Sequence, residues 1–412
     1  MDWKIPLHSV GVLFLATALR ATAPPQELPG DDLLSYARGV LFVSQTGLAS
    51  GSAGTALTAI DGDPYRMVLM NDGQGPVEFV YKLPATTRFE RFGVPRVMEA
   101  PGNTTFVRSV EVSGSPDGPD GGFRPLAAFE LETHATEDET TTVAVDSIVP
   151  VRWVRVRFDG GILIEPGDEG RTVVWFSELM GYGEQEPQTM STAFDGRWEL
   201  RLTERQDLRG DPLELHQNGT TITGCVGTIR FQGTVNGRVA RVSGEDPATG
   251  RTGALILVAD DDGSINASVA ANRGRFNART AVDVPDPEGC GAEPPPAPVV
   301  CGTDVYVNFA FDSAVIRPES EPVIADLYDR LAREDARRVS VVGHTSTEGS
   351  EDYNLDLSLR RAQAVVDAVV ALGLDAARMS ADGVGAAQPL ISPDDNESAR
   401  ELNRRVRVTC GS

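Results

Sequence analysis

Six of the sixteen residues at 285–300, PDPEGCGAEPPPAPVV, are proline. Proline fixes φ and lacks a backbone donor, so neither a helix nor a central strand can run through this stretch. The chain must fold as separate bodies on either side of an extended linker. In front of it, apolar residues recur with the period of strands; behind it, two segments carry the period of helices. At roughly 100–200 residues per domain, 412 residues allow two to four domains. With 41% hydrophobic residues the chain can build several packed cores. The balance of 37 basic against 60 acidic residues gives a formal charge of -23, which repels phosphate backbones and excludes nucleic acid as a partner. No apolar run reaches the ~18 residues of a transmembrane helix, so no transmembrane span is expected.

Residues 1–23 read as a secretory signal peptide. Lys4 precedes the apolar stretch Val10 to Leu19, and two small-x-small sites follow, Ala16-Thr17-Ala18 and Ala21-Thr22-Ala23. The four cysteines are Cys225, Cys290, Cys301 and Cys410. An even count behind such a segment predicts disulfides in an oxidising compartment. Three pairings are possible; Cys225–Cys290 with Cys301–Cys410 keeps each bridge inside one domain. There is no CxxC pair or adjacent histidine, so no metal site is expected, and nothing in the chain calls for a cofactor.

Two β-rich domains are predicted before the linker. Over 26–184, VEFVYKL (77–83), FVRSVEV (106–112), PVRWVRVRF (150–158) and VVWFSEL (173–179) alternate between Gly- and Asp-rich turns, which predicts a β-sandwich. The order of Asp61-Gly62-Asp63, VEVSGSPDG (110–118) and WFSELMGYG (175–183) around those strands resembles a discoidin-type, galactose-binding-like jelly roll. Such modules bind glycans, lipid head groups or proteins through loops at one end. Trp153, Trp175 and Phe176 lie inside strand patterns and are expected in the core rather than at a sugar. Over 190–284, short strands with turns at Asn218-Gly219, Asn236-Gly237 and Asp262-Gly263 predict a small antiparallel barrel. It resembles lipocalin-like envelope barrels.

Residues 301–412 form the third domain. VYVNFAF at 305–311 alternates as a strand, and 319–333 places Val323, Ile324, Leu327 and Leu331 on one helical face. Val339 to Val342 is a second strand, 357–372 a second helix ended by Gly373, and 404–409 a last strand. This alternation predicts an α/β sandwich with helices over a small sheet. The run GHTSTEGSEDYNLDLSLRRA at 343–362, GVGAAQP at 383–389 and NRRV at 403–406 closely resembles the OmpA-like C-terminal domain. The predicted whole is multidomain: a jelly-roll sandwich, a small barrel, then an OmpA-like α/β sandwich.

The resemblance implies non-covalent binding of peptidoglycan through the diaminopimelate of the stem peptide. Arg361 occupies the family's arginine position, where a guanidinium clamps a carboxylate in a planar fork. The acid that normally follows the GHT turn, facing the ligand ammonium, is here Ser346; Glu348 stands two residues on in the same loop. Phe311 and Asp312 match the end of the first strand, Asn354 and Leu357 the helix entry, and Arg405 the last motif. Asn354 and Ser358 are also candidate helix caps. In the family sheet the last strand runs antiparallel beside the first, which would bring Cys301 and Cys410 within disulfide reach.

Function follows as an expectation. The chain reads as a non-enzymatic cell-envelope protein in the periplasm, associated with the cell wall and outer membrane. It docks on peptidoglycan and offers its β-domains to a glycan or a protein. The alternative is an adaptor whose OmpA-like domain, having lost its acid at Ser346, only binds proteins. No nucleophile motif surrounds His8, His134, His216 or His344, so no catalytic residue is assigned.

Overall fold

The computed structural model describes residues 30–48, 53–66, 68–71, 75–98, 104–162, 173–271, 276–289, 300–334 and 338–411. The expected signal peptide at 1–23 and Cys290 lie outside them, as does most of the linker.

The first domain holds β1 (Leu41–Thr46), α1 (Ala53–Thr58), β2 (Val68–Asn71), β3 (Val77–Pro95), β4 (Thr104–Ser115), β5 (Arg124–Glu130), β6 (Thr140–Ala144), β7 (Pro150–Gly161), β8 (Val173–Phe176) and β9 (Met180–Gln185). These strands make one continuous nine-stranded sheet rather than two separate ones. The cause is β3. Its first part pairs with β1 and β7, its last part with β6 and β9, and its register with β7 slips between Lys82 and Thr87. Phe79, Phe106, Phe158 and Phe176 stack inside. Phe176 is core, as expected; Trp153 and Trp175 are half-buried and outside it.

The second domain is a closed eight-stranded antiparallel barrel. Its strands are β10 (Gly196–Leu202), β11 (Asp211–Asn218), β12 (Thr221–Val226), β13 (Ile229–Asn236), β14 (Val239–Glu245), β15 (Thr252–Ala259), β16 (Ile265–Ala271) and β17 (Asn277–Val282). Gly219 and Gly237 take φ of +61° and +62° in two of its tight turns, a conformation that costs side-chain-bearing residues energy. The interior is filled by Leu213, Leu215, Ile222, Phe231, Leu255 and Leu257, with Phe194 packed against them. Strand β15 is apolar on both faces. Leu255, Leu257 and Ala259 fill the barrel, while Ala254, Ile256 and Val258 join the core of the first domain.

The third domain contains β18 (Asp304–Val305), α2 (Glu321–Arg333), β19 (Arg338–Gly343), α3 (Glu351–Ala371), β20 (Met379–Gly383), α4 (Glu397–Asn403) and β21 (Val406–Gly411). The sheet order is β18-β21-β19-β20, with β21 antiparallel to both neighbours and β19 parallel to β20. Three expectations need correction. The strand expected at 305–311 pairs only at 304–305, because 309–316 folds back as a hairpin closed by Ala310 N–H donating to Val315 O at 2.8 Å. Helix α3 starts six residues early, capped by Ser350 accepting from Tyr353 N. Asn354 and Ser358 therefore lie inside the helix and are not its caps. Cys301 and Cys410 are bonded with Cα atoms 5.4 Å apart. Cys225 is also disulfide-bonded, its expected partner Cys290 being outside the described residues.

The three domains are not free arms on a linker. One continuous core includes Phe79 and Tyr81 of the first domain, Ile256 and Val258 of the barrel, and Tyr306, Ala399 and Leu402 of the third domain. Lys82 and Arg152 grip Asp261 of the barrel at 2.7 and 3.3 Å. Asn236 of the barrel donates to Ser320 Oγ at 2.7 Å, and Thr221 to Asp326 at 3.0 Å.

Candidate functional site

The expected site residues fall on a hairpin, a loop and one helix. Asn354, Leu357 and Arg361 recur along one face of α3. Arg361 Nε donates to Ser313 O at 3.0 Å, and its guanidinium lies over the Phe309 ring, 5.1 Å from the centroid. Phe311 and Asp312 form the exposed tip of that hairpin, with Asp312 held at φ +52°. Burial and the nearby Arg404 draw the Arg361 guanidinium down to about 10, against the opposing pull of Asp31 and Glu401; it stays cationic at neutral pH.

The 344–349 loop faces the entry of α3. Ser346 is buried and its Oγ donates to Glu348 Oε2 at 3.3 Å. Asn354 Nδ2 donates to Glu348 O at 2.8 Å, which fixes the loop on the helix. The Glu348 carboxylate is exposed and lies 3.4 Å from both Arg400 and Arg404. A second acid, Asp394, is buried behind the loop, where it accepts from Thr347 N at 2.9 Å, Thr347 Oγ1 and Asn403 Nδ2. Burial would raise its carboxyl, but these donors hold it below its usual value.

Arg405 does not join this group. It is buried, with Nε 3.2 Å from Asp304 and Nη2 donating to Gln388 O at 3.2 Å. It braces β18 and cannot meet a ligand. His344 is buried, with the Gln388 backbone as its nearest hydrogen-bonding group. Burial, with Arg405 and Arg407 nearby, pushes its imidazole down to about 3, so it is a neutral packing residue at pH 7.

Sequence reasoning passed over α4. In ESARELN and the arginines after it, Glu397 pairs with Arg400 at 2.9 Å and closely with Arg404, and Glu401 pairs with Arg404 at 3.1 Å. The alternation of acid and arginine at helical spacing was the available signal. Burial opposes ionisation of Glu397, but Arg404 and Arg400 win and hold it below its ordinary value. Among the described residues, no group of His, Cys, Asp or Glu is arranged to hold a metal ion, and no helix is long and apolar enough to cross a membrane.

Residues 308–404 match the OmpA family. They form an OmpA-family domain. The stretch from the Phe309 hairpin through Arg361 to Arg404 lies inside it. Outer membrane porin F of Pseudomonas fluorescens is 35% identical over 114 residues, which cover 28% of this chain and 35% of that protein. The chain thus spans only about a third of the length of the curated relative. Among solved structures, the peptidoglycan-associated lipoprotein of Burkholderia pseudomallei is similar at 30% identity and TM-score 0.24, covering 26% of this chain and 88% of that one. The CBM32-3 structure from a family 31 glycoside hydrolase of Clostridium perfringens is similar at 14% identity and TM-score 0.28, covering 36% and 93%.

Proposed function

We propose that this is a non-enzymatic cell-envelope protein that anchors to peptidoglycan through its OmpA-family domain. The carrying observation is Arg361, a cation held in a fixed orientation between the Phe309 ring and Ser313 O. A planar guanidinium so fixed suits a bidentate carboxylate, and little side-chain entropy is lost on binding. Diaminopimelate offers a carboxylate and an ammonium on one side chain. Glu348, exposed on the adjoining loop and bonded to Ser346, supplies the carboxylate for that ammonium. The name of the matched relative, an outer membrane porin, supports placement in the envelope, in the periplasm beside the cell wall and outer membrane. The two β-domains would present a surface to a glycan or an envelope protein.

A second reading has one observation in its favour. Glu348 is already neutralised by Arg400 and Arg404, and Ser346 brings no charge. On this reading the domain is a protein-interaction adaptor. Co-sedimentation of the full chain with diaminopimelate-type peptidoglycan separates the two. We expect the wild type to pellet and Arg361→Ala to lose at least about tenfold in affinity, the worth of a charge-assisted pair. A wild type that stays in the supernatant favours the adaptor.

A further inference from the structure

We propose that Asp394 is a positioning residue of the peptidoglycan site, holding the loop so that the Glu348 carboxylate meets the ligand ammonium. The inference rests on the peptidoglycan reading and names what sets its preference for a zwitterion.

Glu348 stands on a loop with its side chain 62% exposed, so packing does not fix it. Bonds to its backbone and to the residue before it do. Asp394 Oδ2 accepts from Thr347 N at 2.9 Å, and Oδ1 accepts from Thr347 Oγ1 in a very short contact. The residue directly before Glu348 is thereby held at both its backbone and its side chain. On the other side, Asn354 Nδ2 donates to Glu348 O at 2.8 Å. Asn354 and Arg361 are two turns apart on α3, about 10 Å of helix. The loop acid and the arginine clamp are thus referred to one rigid element. Asp394 also reaches the charge that faces Glu348: its carbonyl accepts from Arg400 Nη1 at 3.4 Å, and Nε of the same guanidinium lies 3.4 Å from Glu348 Oε1.

Asp394 itself has little freedom. It is buried, and Oδ2 accepts a further bond from Asn403 Nδ2 at 3.1 Å. Asn403 is fully buried and fixed in turn: Oδ1 accepts from Leu390 N and Ile391 N at 2.7 and 3.0 Å, and Nδ2 donates to Ile391 O at 2.8 Å. A group held in its binding orientation by a second layer of hydrogen bonds gives up less entropy when the ligand arrives. The two halves of the site have separate supports. Arg361 is held by the Phe309 ring and Ser313 O, and Asp394 touches neither. Loss of Asp394 should therefore weaken recognition of the ammonium and leave recognition of the carboxylate.

The test uses the full chain and two soluble competitors, meso-diaminopimelate and pimelate, which has the same carbon chain and carboxylates but no ammonium. Each is titrated against co-sedimentation with diaminopimelate-type peptidoglycan, and the ratio of the two displacing concentrations is read. We expect diaminopimelate to displace the wild type at about tenfold lower concentration than pimelate, the worth of a charge-assisted pair. Glu348→Gln and Asp394→Ala should each bring that ratio close to one. General damage to the domain would weaken both competitors and leave the ratio as it was. If Asp394→Ala keeps the wild-type ratio while Glu348→Gln loses it, the positioning role is overturned. If Glu348→Gln keeps it too, or the wild type shows no preference, Glu348 does not read an ammonium and the proposal falls, while pelleting that depends on Arg361 leaves the peptidoglycan reading standing. A wild type that does not pellet defeats that reading itself. Should Asp394→Ala fail to fold or to pellet, Thr347→Val decides, since it keeps the shape and removes only the Oγ1 donor. A ratio lowered at least about twofold, the least a hydrogen bond is worth, supports the proposal, and an unchanged ratio overturns it.

Discussion

Two groups of buried acids face each other across the junction, and they are treated in opposite ways. On α4, Glu397 and Glu401 lie among Arg38, Arg241, Arg400 and Arg404, and burial is outweighed, so both stay ionised. In the sandwich, Asp32, Asp61 and Glu178 have mainly backbone donors. Gly181 and Leu34 donate to Asp32, Asp63 to Asp61 and Gly62 to Glu178. Burial dominates there, pushing Asp32 and Asp61 up to about 7 and Glu178 well above its usual value. Asp61 also has Arg66 at 3.4 Å, yet this one half-exposed guanidinium does not offset its burial; the contrast shows that a buried carboxylate keeps its charge only where several guanidinium groups surround it.

The largest effect should come from removing the arginines' shared partner. Glu401→Gln leaves Arg241 buried and unpaired and should cost about 3–5 kcal/mol, read as a lower urea midpoint. The sandwich acids should respond the other way. The Asp32 carboxyl titrates higher folded than unfolded, so its contribution is present at low pH and lost as pH rises from about 4 through 7. Asp32→Asn keeps an acceptor for Gly181 and Leu34. It should stabilise the protein by roughly 2–4 kcal/mol at pH 8 and little at pH 4, in thermal melts at the two values.

His344 sharpens the comparison from inside the OmpA-family domain. Its folded value, about 3, lies below the unfolded one. Its contribution is therefore present above about pH 6.5 and lost as pH falls. Between pH 7 and 4.5 it should cost about 2–3 kcal/mol, a slope absent in His344→Gln. The smallest effect concerns local structure. Ser350→Ala removes the cap that accepts from Tyr353 N, and should cost about 1 kcal/mol at every pH, by urea titration.

How much of this could be read from the chain depends on what each residue faces. Strands β3, β4 and β7 and the barrel strands other than β15 were legible because apolar and polar residues alternate along them. The α3 motif was legible because Arg361 and Asn354 keep their spacing whatever surrounds them. Helix α4 was not: ESARELN has only two apolar residues, Ala399 and Leu402, and both pack against other domains. Arg405 shares its motif with Arg404, and only the fold shows that Asp304 buries it. The proline run argued for independent arms, yet the apolar stretch 254–259 already carried a contrary signal. A barrel strand with both faces apolar must be covered on both sides.

Specificity for diaminopimelate tests the central claim most directly. The full chain would be sedimented in parallel with diaminopimelate-type peptidoglycan and with lysine-type peptidoglycan, whose side chain keeps the ammonium but lacks the carboxylate. If Arg361 reads that carboxylate, the protein pellets with the first and stays in solution with the second. Equal pelleting with both would contradict recognition through Arg361.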